Sequence, residues 1–399
     1  MISSYGHQLI EQDDIEAVNK VLQGDWLTTG PLVEEFENSF AQRVGAGHAI
    51  ACSSGTAALH LVSMAAGLGA GYSSIVPTVS FLATANCSRF IGADVLFSDV
   101  NPDTGLMQVQ DMLEALDRQN ETKAKALYLV HLNGQTCQVE EMSKLAKEHG
   151  LIIIEDCCHA LGTSFQSGSK EISYVGACDF SDFSIFSFHP VKTITTGEGG
   201  MVTTNNPEYA AKIKMLRNHG MLCNSDAFKN RDDAFDHQGN TNPWYYEMQE
   251  LGLNYRISDI NCALGLSQLK KLDRFIEKRR SLMKIYDEEL NKLPSTIKPV
   301  GRIDNCSPVL HLYPVLIDFI QLAKDRADVV NNLKHKGVGT QVHYYPIHKQ
   351  PYYENLYGAS ELPGASQYYE RILSLPFHCA MTEDDVKTVV SILAEVLDL

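Results

Sequence analysis

The sequence predicts an α/β fold in which a large, mostly parallel sheet has helices on both faces and is followed by a smaller C-terminal α+β domain. The first observation behind this prediction is an alternation of short apolar runs, Gly or Pro punctuation and helical segments along most of the chain. The second is the length of 399 residues, which exceeds the size at which one hydrophobic core keeps growing. We place a large domain at residues 1–298 and a smaller one at residues 299–399, where the order of strands and helices changes.

Composition narrows the class of protein. The chain is 44% hydrophobic and 21% charged, as ordinary globular proteins are. Its 33 Lys and Arg against 49 Asp and Glu give a formal net charge of -16, which argues against a nucleic acid or an anionic membrane as partner. The N-terminus has no pattern of a signal peptide, so we expect a cytoplasmic protein. The ten cysteines show no paired Cys-x-x-Cys spacing, and we assign no metal.

Two helices are predicted near the N-terminus. Acidic residues in a first turn predict a helix over residues 10–24, and Pro31 begins a second one that ends at about residue 44. The loop between them carries Trp26. Either this loop contacts a ligand or Trp26 packs as an anchor, which is the commoner outcome for such a residue.

Short apolar runs then mark the strands of the predicted sheet. In open α/β sheets, ligands bind beyond the carboxyl ends of the strands, so the residues that follow each run are candidates for a site. The predicted strands cover residues 48–52, 74–77, 95–97, 126–130, 151–155 and 183–188.

Two of these strand ends carry weak signals for a phosphate-bearing aromatic ligand. The first strand is followed by Gly55, Thr56 and Ala57, which begin a helix whose N–H groups would point at an anion. No lysine follows the glycine as it does in the Walker pattern, and capped helices of this kind are common. The second strand is followed by Phe81, whose ring could stack on a ligand but would more often belong to the core.

A stronger signal follows the strand at residues 151–155. Asp156 follows the apolar residues 151–154 and Glu155, and a carboxylate at the end of a buried strand requires a partner. A protonated pyridine nitrogen would be such a partner, as in pyridoxal 5′-phosphate (PLP) chemistry. The alternative is that Asp156 caps a following helix.

Lys192 is the centre of the run FSFHPVKTITTGEGG at residues 186–200. Aromatic, Pro, Thr and Gly neighbours would desolvate its ammonium group and favour the neutral amine. A neutral lysine amine can form a Schiff base. Taken alone, a surface lysine in a Gly-rich turn is an equally good interpretation.

The remaining elements complete the prediction. A helix is expected over residues 258–271, strands near 311–316 and 339–343, and a last helix over 383–397. Residues 223–240 have no periodic apolar face and are predicted to be a long loop, which either closes over a ligand or is a solvated insertion. His343 either faces the site or is a structural residue of its strand.

Eight residues of the chain resemble, in order and type, the cofactor site of the DegT/DnrJ/EryC1/StrS sugar aminotransferases. The likeness covers nearly the whole chain, and the run at residues 187–200 is its most specific part. The family uses PLP on an aspartate-aminotransferase-like (PLP type I) fold, so PLP is the cofactor that the resemblance implies. The residues that carry it are Gly55, Thr56, Ala57, Phe81, Asp156, His159, Ser187 and Lys192.

The resemblance implies a role for each of these residues. Lys192 would hold PLP covalently and carry a proton between substrate and cofactor, and Asp156 would pair with the ring nitrogen. Phe81 would stack on the ring and His159 would lie near it, although many members of the family have Gln at that position. Ser187 and the turn at residues 55–57 would hold the phosphate.

The resemblance also implies a homodimer with shared active sites. In the family a neighbouring subunit completes the phosphate site through the segment that matches residues 252–256 of this chain. Asn254 or Arg256 would therefore reach into the other subunit.

A narrower likeness concerns the substrate. Residues 219–221, 244–260, 263–269, 311–315 and 341–347 are similar to members that act in pseudaminic acid synthesis. These members move the amino group of L-glutamate to C4 of a UDP-linked 4-keto-6-deoxy-2-acetamido sugar. The likeness implies a UDP-sugar pocket formed by Gly55 with Tyr5, Trp26, Leu27 and Thr28.

Three alternatives remain open at the level of sequence. Another nucleotide 4-keto sugar, linked to GDP, dTDP or UDP, is compatible with the same cofactor residues. A PLP sugar dehydratase is a second alternative, although dehydratases of the family carry His where this chain has Lys192. A non-catalytic relative is the third, and the complete set of Asp156, Ser187 and Lys192 argues against it.

Overall fold

The computed structural model describes residues 4–119, 122–168 and 171–399. Within them the helices are α1 Gln12–Leu22, α2 Pro31–Val44, α3 Gly55–Ala65, α4 Ala83–Phe90, α5 Val109–Asp117, α6 Val139–Glu148, α7 Pro207–Arg217, α8 Arg231–Ala234, α9 Asp259–Lys270, α10 Leu272–Leu290, α11 Arg326–His335, α12 Pro351–Tyr357, α13 Pro363–Arg371 and α14 Glu383–Leu397. The strands are β1 His48–Cys52, β2 Tyr72–Pro77, β3 Asp94–Ser98, β4 Lys123–Val130, β5 Ile152–Asp156, β6 Ser164–Gln166, β7 Ile172–Tyr174, β8 Phe183–Ser187, β9 Gly200–Thr204, β10 Met221–Leu222, β11 Glu247–Met248, β12 Ile297–Pro299, β13 Cys306–Ser307, β14 Tyr313–Ile317 and β15 Ile372–Leu375.

A seven-stranded sheet in the order β1-β9-β8-β5-β4-β2-β3 forms the centre of the molecule. Strands β8, β5, β4, β2 and β3 are parallel, whereas β9 runs antiparallel to both of its neighbours. The predicted α/β fold is confirmed, and all six predicted strands are present. β9 is an additional strand, formed where the chain turns back after the run that contains Lys192.

Both faces of the sheet are buried, as expected for a parallel sheet covered by helices. On β4 the side chains of Leu127 and Leu129 belong to one apolar cluster, and those of Ala126 and Tyr128 belong to the cluster on the opposite face. This alternation explains why the predicted strands are continuous apolar runs without a polar face. It leaves only the strand ends free for polar chemistry.

A smaller antiparallel sheet, β12-β14-β15, lies in the C-terminal part of the chain. Helices α10, α11 and α14 supply the side chains of its apolar cluster. The first of its strands, Ile297–Pro299, crosses the boundary that we placed between residues 298 and 299. The division into domains 1–298 and 299–399 stays a prediction.

Two predictions about local structure are wrong. Residues 339–343 do not form a strand, because their pairing with β15 is limited to a single bridge between Gln341 and Ser374. Residues 223–240 are not a featureless loop, since they include α8 and a short 3-10 helix at Ser225–Ala227. The rings of Phe228, Phe235 and Tyr245 form a small cluster there, which is too local to produce a periodic pattern.

Among the helices of the described residues, none combines the length and the apolar character that crossing a membrane would require.

Candidate active site

A cavity of about 830 Å³ lies at the carboxyl ends of the central strands. β5 ends at Asp156 and β8 at Ser187, and both of these residues line it. The segments that follow β1 and β2 also contribute to its wall. The cavity contains these residues from the sequence prediction: Tyr5, Gly55, Thr56, Phe81, Asp156, His159, Ser187, Lys192 and His343.

One wall is the N-terminus of α3. Its cap is Ser54, whose side-chain oxygen accepts a hydrogen bond from the Ala57 N–H at 3.1 Å. A Cβ atom on Gly55 would lie 2.9 Å from Cβ of Ser187, so only glycine lets the turn pack against the end of β8. The helix end carries partial positive charge beside the Ser187 hydroxyl, an arrangement that suits a phosphate group.

Ala57 lies behind the turn, and its predicted contact with the phosphate stays a prediction. Its N–H group already bonds to the Ser54 cap, and its side chain is buried in the apolar cluster behind the turn. Gly55 and Thr56 line the cavity, and Ala57 does not belong to its lining in the described part of the chain.

The opposite wall presents the carboxylate of Asp156, which is buried. One carboxylate oxygen accepts a hydrogen bond from the Thr84 hydroxyl at 2.9 Å, and the other accepts one from the Cys158 N–H at 3.2 Å. The next regular element is β6 and not a helix, so the capping alternative does not apply. No described residue forms an ion pair with this carboxylate. Its orientation at the cavity wall is set by hydrogen bonds from neutral donors.

Lys192 lies on the loop between β8 and β9. The loop is held by its own hydrogen bonds, including one from the Lys192 N–H to the His189 carbonyl and one from the Thr196 N–H to the Phe188 carbonyl. Burial lowers the pKa of the Lys192 amine, although the neighbouring Cys158 and Asp156 act in the opposite direction. The neutral amine is therefore more accessible than it is in an ordinary exposed lysine.

His159 is held between two hydrogen-bonding groups. Its Nδ1 accepts a hydrogen bond from the Asn133 N–H at 3.3 Å, and its Nε2 lies 3.3 Å from the Tyr344 hydroxyl. The ring is 4.5 Å from the ring of His311, centroid to centroid. Burial, then the charge of Lys192, lowers the pKa of His159 well below its ordinary value.

Two other histidines of the cavity, His311 and His343, are shifted in the same direction. Burial, reinforced by Lys192, lowers the pKa of His343 to about 3. The same two causes lower the pKa of His311 well below its usual range. His343 is fixed by a 2.9 Å hydrogen bond between its Nδ1 and the Ser374 hydroxyl. This part of the wall therefore adds polar atoms without adding positive charge.

Phe81 is on the surface of the cavity and not in the core. Its side chain is 57% exposed, and its ring centroid lies 6.2 Å from that of Tyr344. A large aromatic ring left open at the mouth of a cavity is available to stack on a planar ligand. Tyr5 reaches the same cavity and lies beside His343, with 5.7 Å between ring centroids.

The predicted pocket residues Trp26, Leu27 and Thr28 are not brought into this cavity by the described part of a single chain. Trp26 and Leu27 are 58% and 47% exposed, so Trp26 does not act as a packing anchor either. The reason is a backbone attachment, because the Leu27 carbonyl accepts the Asp259 N–H at 3.0 Å, and Thr28 bridges to Ser258. The segment is thereby fixed at the start of α9.

Asn254 and Arg256 lie beside the turn at residues 55–57 that begins α3, which we call the α3 turn. Among the described residues, neither belongs to the cavity lining. The Arg256 guanidinium donates a 2.6 Å hydrogen bond to the Asn218 side chain, and Asn254 bridges to the Asn218 backbone. Between them, the Tyr255 carbonyl accepts the Ser53 N–H at 2.9 Å. Their proposed action in a second subunit stays a prediction.

Sequence reasoning missed three residues of the site, namely Thr84, Asn133 and His311. Thr84 carries no signal, because a threonine in a helix is ordinary and only the fold brings it to Asp156. Asn133 acts through its backbone N–H, which no side-chain pattern reveals. His311 belongs to a stretch that the sequence singled out, but it had received no role.

The comparisons with known proteins agree with this geometry. The model of the DegT/DnrJ/EryC1/StrS aminotransferase family matches residues 8–394. The chain belongs to that family. It is therefore a sugar aminotransferase and a PLP-dependent enzyme, as the family is.

Similar proteins support the assignment over the full length of this aminotransferase. It is 39% identical over 397 residues, 99% of this chain and 97% of the relative, to a UDP-4-amino-4,6-dideoxy-N-acetyl-beta-L-altrosamine transaminase from Campylobacter jejuni. The solved structure of Helicobacter pylori PseC, an aminotransferase involved in the biosynthesis of pseudoaminic acid, is 29% identical with a TM-score of 0.87 and 99% of each chain covered. A putative sugar aminotransferase from Streptococcus pneumoniae, solved in its PMP form, is 25% identical with a TM-score of 0.84, covering 99% of this chain and 98% of its own.

The cavity of the aminotransferase fits PLP. The α3 turn and Ser187 suit the phosphate, and an Asp156 carboxylate without a cationic partner suits a protonated ring nitrogen. Lys192, with its lowered pKa, suits a bond to an aldehyde. The backbone is also tightly packed on the phosphate side of the cavity, since a Cβ atom on Gly200 would lie 2.3 Å from the Ser54 carbonyl oxygen.

Proposed function

We propose that this aminotransferase moves the amino group of L-glutamate to C4 of a UDP-linked 4-keto-6-deoxy-2-acetamido sugar, the step used in pseudaminic acid biosynthesis. The observation that carries the proposal is the convergence of Lys192, Asp156 and the α3 turn on one cavity of about 830 Å³. That volume is in the upper range for ligand sites and leaves space for a sugar beside the cofactor. Support for the particular sugar comes from the 39% identical transaminase and from the 29% identical PseC.

Each residue of the proposed cofactor site has its own role. When bound, PLP supplies the electron sink that stabilises negative charge on the substrate carbon. Lys192 would hold the cofactor, and its amine would carry the proton at the substrate carbon. Asp156, directed by the Thr84 hydroxyl, keeps the ring nitrogen protonated. The α3 turn with Ser187 binds the phosphate, Phe81 stacks on the ring and His159 lies near it.

The substrate is assigned to the outer part of the cavity. Tyr5 and His343 line this wall and offer hydrogen-bonding groups to a sugar, and the lowered pKa of His343 favours its neutral ring. We assign Trp26, Leu27 and Thr28 to the same substrate site across a subunit interface, since their exposed side chains are free to contact a second chain. A homodimer is part of the proposal, with Asn254 or Arg256 of one subunit completing the phosphate site of the other.

A panel of nucleotide 4-keto sugars tests the substrate. Each sugar is offered with L-glutamate, and the aminated carbon and its configuration are determined by NMR. We expect amination at C4 of the UDP-linked 2-acetamido sugar with the highest kcat/KM, and ping-pong initial-rate patterns because both substrates use one site in turn. Preferential turnover of a GDP- or dTDP-linked sugar would replace this proposal with the corresponding alternative.

A lysine variant tests the chemistry separately. Lys192→Ala is expected to abolish turnover and the visible absorbance of covalently bound PLP, while Lys212→Ala, on the exposed side of α7, leaves both unchanged. Measurable transamination by clean Lys192→Ala protein would contradict the assigned role. Lys192 also argues against a dehydratase, for which water loss from the sugar without amination would be the decisive product.

A further inference from the structure

The segment His131–Gln135, which we call the 131–135 turn, connects the cavity wall that holds Asp156 and His159 to a buried hydrogen-bonded pair, His131 and Glu155. Its residues are completely or almost completely buried. The His131 N–H donates to the Asp156 carbonyl at 3.1 Å, and the Asn133 N–H donates to Nδ1 of His159 at 3.3 Å. The turn therefore contacts two residues of the cofactor site through its backbone.

A buried pair anchors the turn. Nε2 of His131 lies 2.7 Å from a carboxylate oxygen of Glu155, and the side chains of both residues are at most 4% exposed. The second carboxylate oxygen accepts hydrogen bonds from the hydroxyl groups of Ser181 and Ser184. Because every polar atom of this carboxylate is occupied, it holds the imidazole of His131 in one orientation.

The nearby thiol of Cys157 does not make this pair a metal site. Its sulfur lies within 4.8 Å of the facing atoms of His131 and Glu155. Those two atoms are, however, already in direct hydrogen-bond contact with each other at 2.7 Å. The remaining ring nitrogen of His131 accepts the Cys137 N–H at 3.4 Å.

The backbone of the turn decides the tautomer of His159. A backbone N–H can only donate, so Nδ1 of His159 must be the unprotonated nitrogen that accepts it. The proton of the neutral ring is then on Nε2, which faces Tyr344 at the cavity wall. Asn133 adopts a left-handed conformation with φ of 60°, which gives its N–H the direction it needs and which a non-glycine residue adopts only when its surroundings hold it.

We propose that Glu155 and His131 are positioning residues of the cofactor site, which act through the 131–135 turn to keep His159 as an Nε2–H donor toward bound PLP. They touch neither the cofactor nor the substrate. Their effect is to hold the Asn133 N–H against Nδ1 of His159, and so to present a donor and not an acceptor to the cavity. The inference rests on the proposed place of His159 beside the cofactor.

The proposal predicts a spectroscopic change. A donor beside the cofactor favours its more negative form, so losing that donor makes the cofactor titrate at higher pH. The other titratable groups around the His159 ring are Lys192, His311, His343 and Tyr344, and the variants below leave them in place. The measurement is the pH midpoint of the absorbance change of bound PLP in the holoenzyme, without any sugar.

Glu155→Gln is expected to raise this midpoint by about half a pH unit or more. His159→Phe, whose side chain has no donor, is expected to raise it similarly, and the double variant should show no further increase, because both act through one hydrogen bond. Asp14→Asn is the matched control. Asp14 lies on α1, away from the 131–135 turn, and is a fully buried carboxylate that pairs with Lys271. This variant should lose stability without moving the midpoint.

The contrary results are distinct. An unchanged midpoint in stable Glu155→Gln protein, or fully additive shifts in the double variant, would overturn the proposal. If Glu155→Gln does not fold, Ser181→Ala removes one donor to Glu155 and should give a smaller shift in the same direction, and no shift would count equally against it. Failure of the sugar panel would leave these results untouched, whereas the absence of covalently bound PLP would remove the proposed function itself.

Discussion

At the scale of single residues, the cavity combines Lys192 with three buried histidines, His159, His311 and His343, whose pKa values burial lowers. His343 is the best defined of them, because burial and Lys192 lower its pKa to about 3. In an unfolded chain the pKa of histidine is about 6.5. Between these two values the unfolded chain binds a proton that the folded chain does not, so stability falls as the pH falls from about 6.5 toward about 3.

His343→Asn should therefore reduce the acid sensitivity of the fold. Between pH 7.5 and pH 5.5, His343 alone should lower the free energy of unfolding by about 1.4 kcal/mol, and the variant should lack this part of the decrease. Urea denaturation of the PLP-free protein at the two pH values measures both decreases. If wild type and variant lose equal stability, the histidine is not held in its neutral form as described.

At the scale of elements, the site depends on segments that leave the strands in irregular conformations. Gly134 illustrates this within the 131–135 turn, where its φ is 95° and an added Cβ atom would lie 2.2 Å from the Val309 carbonyl oxygen. The conformation and the close approach both require glycine. The turn is thus pressed between the Asp156 strand and the segment that precedes β14.

Gly134→Ala is expected to destabilise the protein by about 2 kcal/mol or more and to weaken PLP binding, because a backbone contact must be pushed apart. Gly150→Ala is the matched control, since Gly150 also has a positive φ of 67° but nothing lies within 4 Å of its added Cβ atom. It should cost about 1 kcal/mol from backbone strain alone, with PLP affinity unchanged. Denaturation midpoints and PLP absorbance titrations measure the two effects. Equal losses of stability in the two variants would mean that the 131–135 turn rearranges without cost to accept the added Cβ atom.

At the scale of the whole molecule, two of the predicted site residues lie outside the cavity of their own chain. Arg256 is tied to Asn218 beside the α3 turn, and the exposed Trp26 is held near the start of α9. Neither residue lines the cavity of its own chain in the described structure. The proposed homodimer, in which each subunit contributes to the site of the other, would account for both placements.

Mixed subunits test this sharing. Lys192→Ala and Arg256→Ala proteins are each expected to be nearly inactive. After subunit exchange, the mixed dimers would have one site with both defects and one with neither, so about a quarter of wild-type activity should return. No recovery, with exchange verified by mass, would mean that Arg256 acts within its own chain or not at all.

Much of the fold could be predicted because its signals are local. The helix at Pro31–Val44 begins at a proline, and α14 coincides with the predicted 383–397. The strands at residues 48–52 and 183–188 are apolar runs that a buried sheet requires. β9 and the irregular residues 339–343 were not predictable, since their conformation depends on partners distant in sequence.

By itself, the sequence determined the α/β class and the family, and it predicted Lys192, Asp156 and Ser187 as residues of one site, because these signals lie in a continuous run or at the end of an apolar strand. The tertiary structure decided which atoms of the site are available. It showed that the Ala57 N–H is already used, that Thr84 directs Asp156, and that Asn133 sets the tautomer of His159. Hydrogen bonds between strand ends join residues that are far apart in the chain, and no local pattern records them.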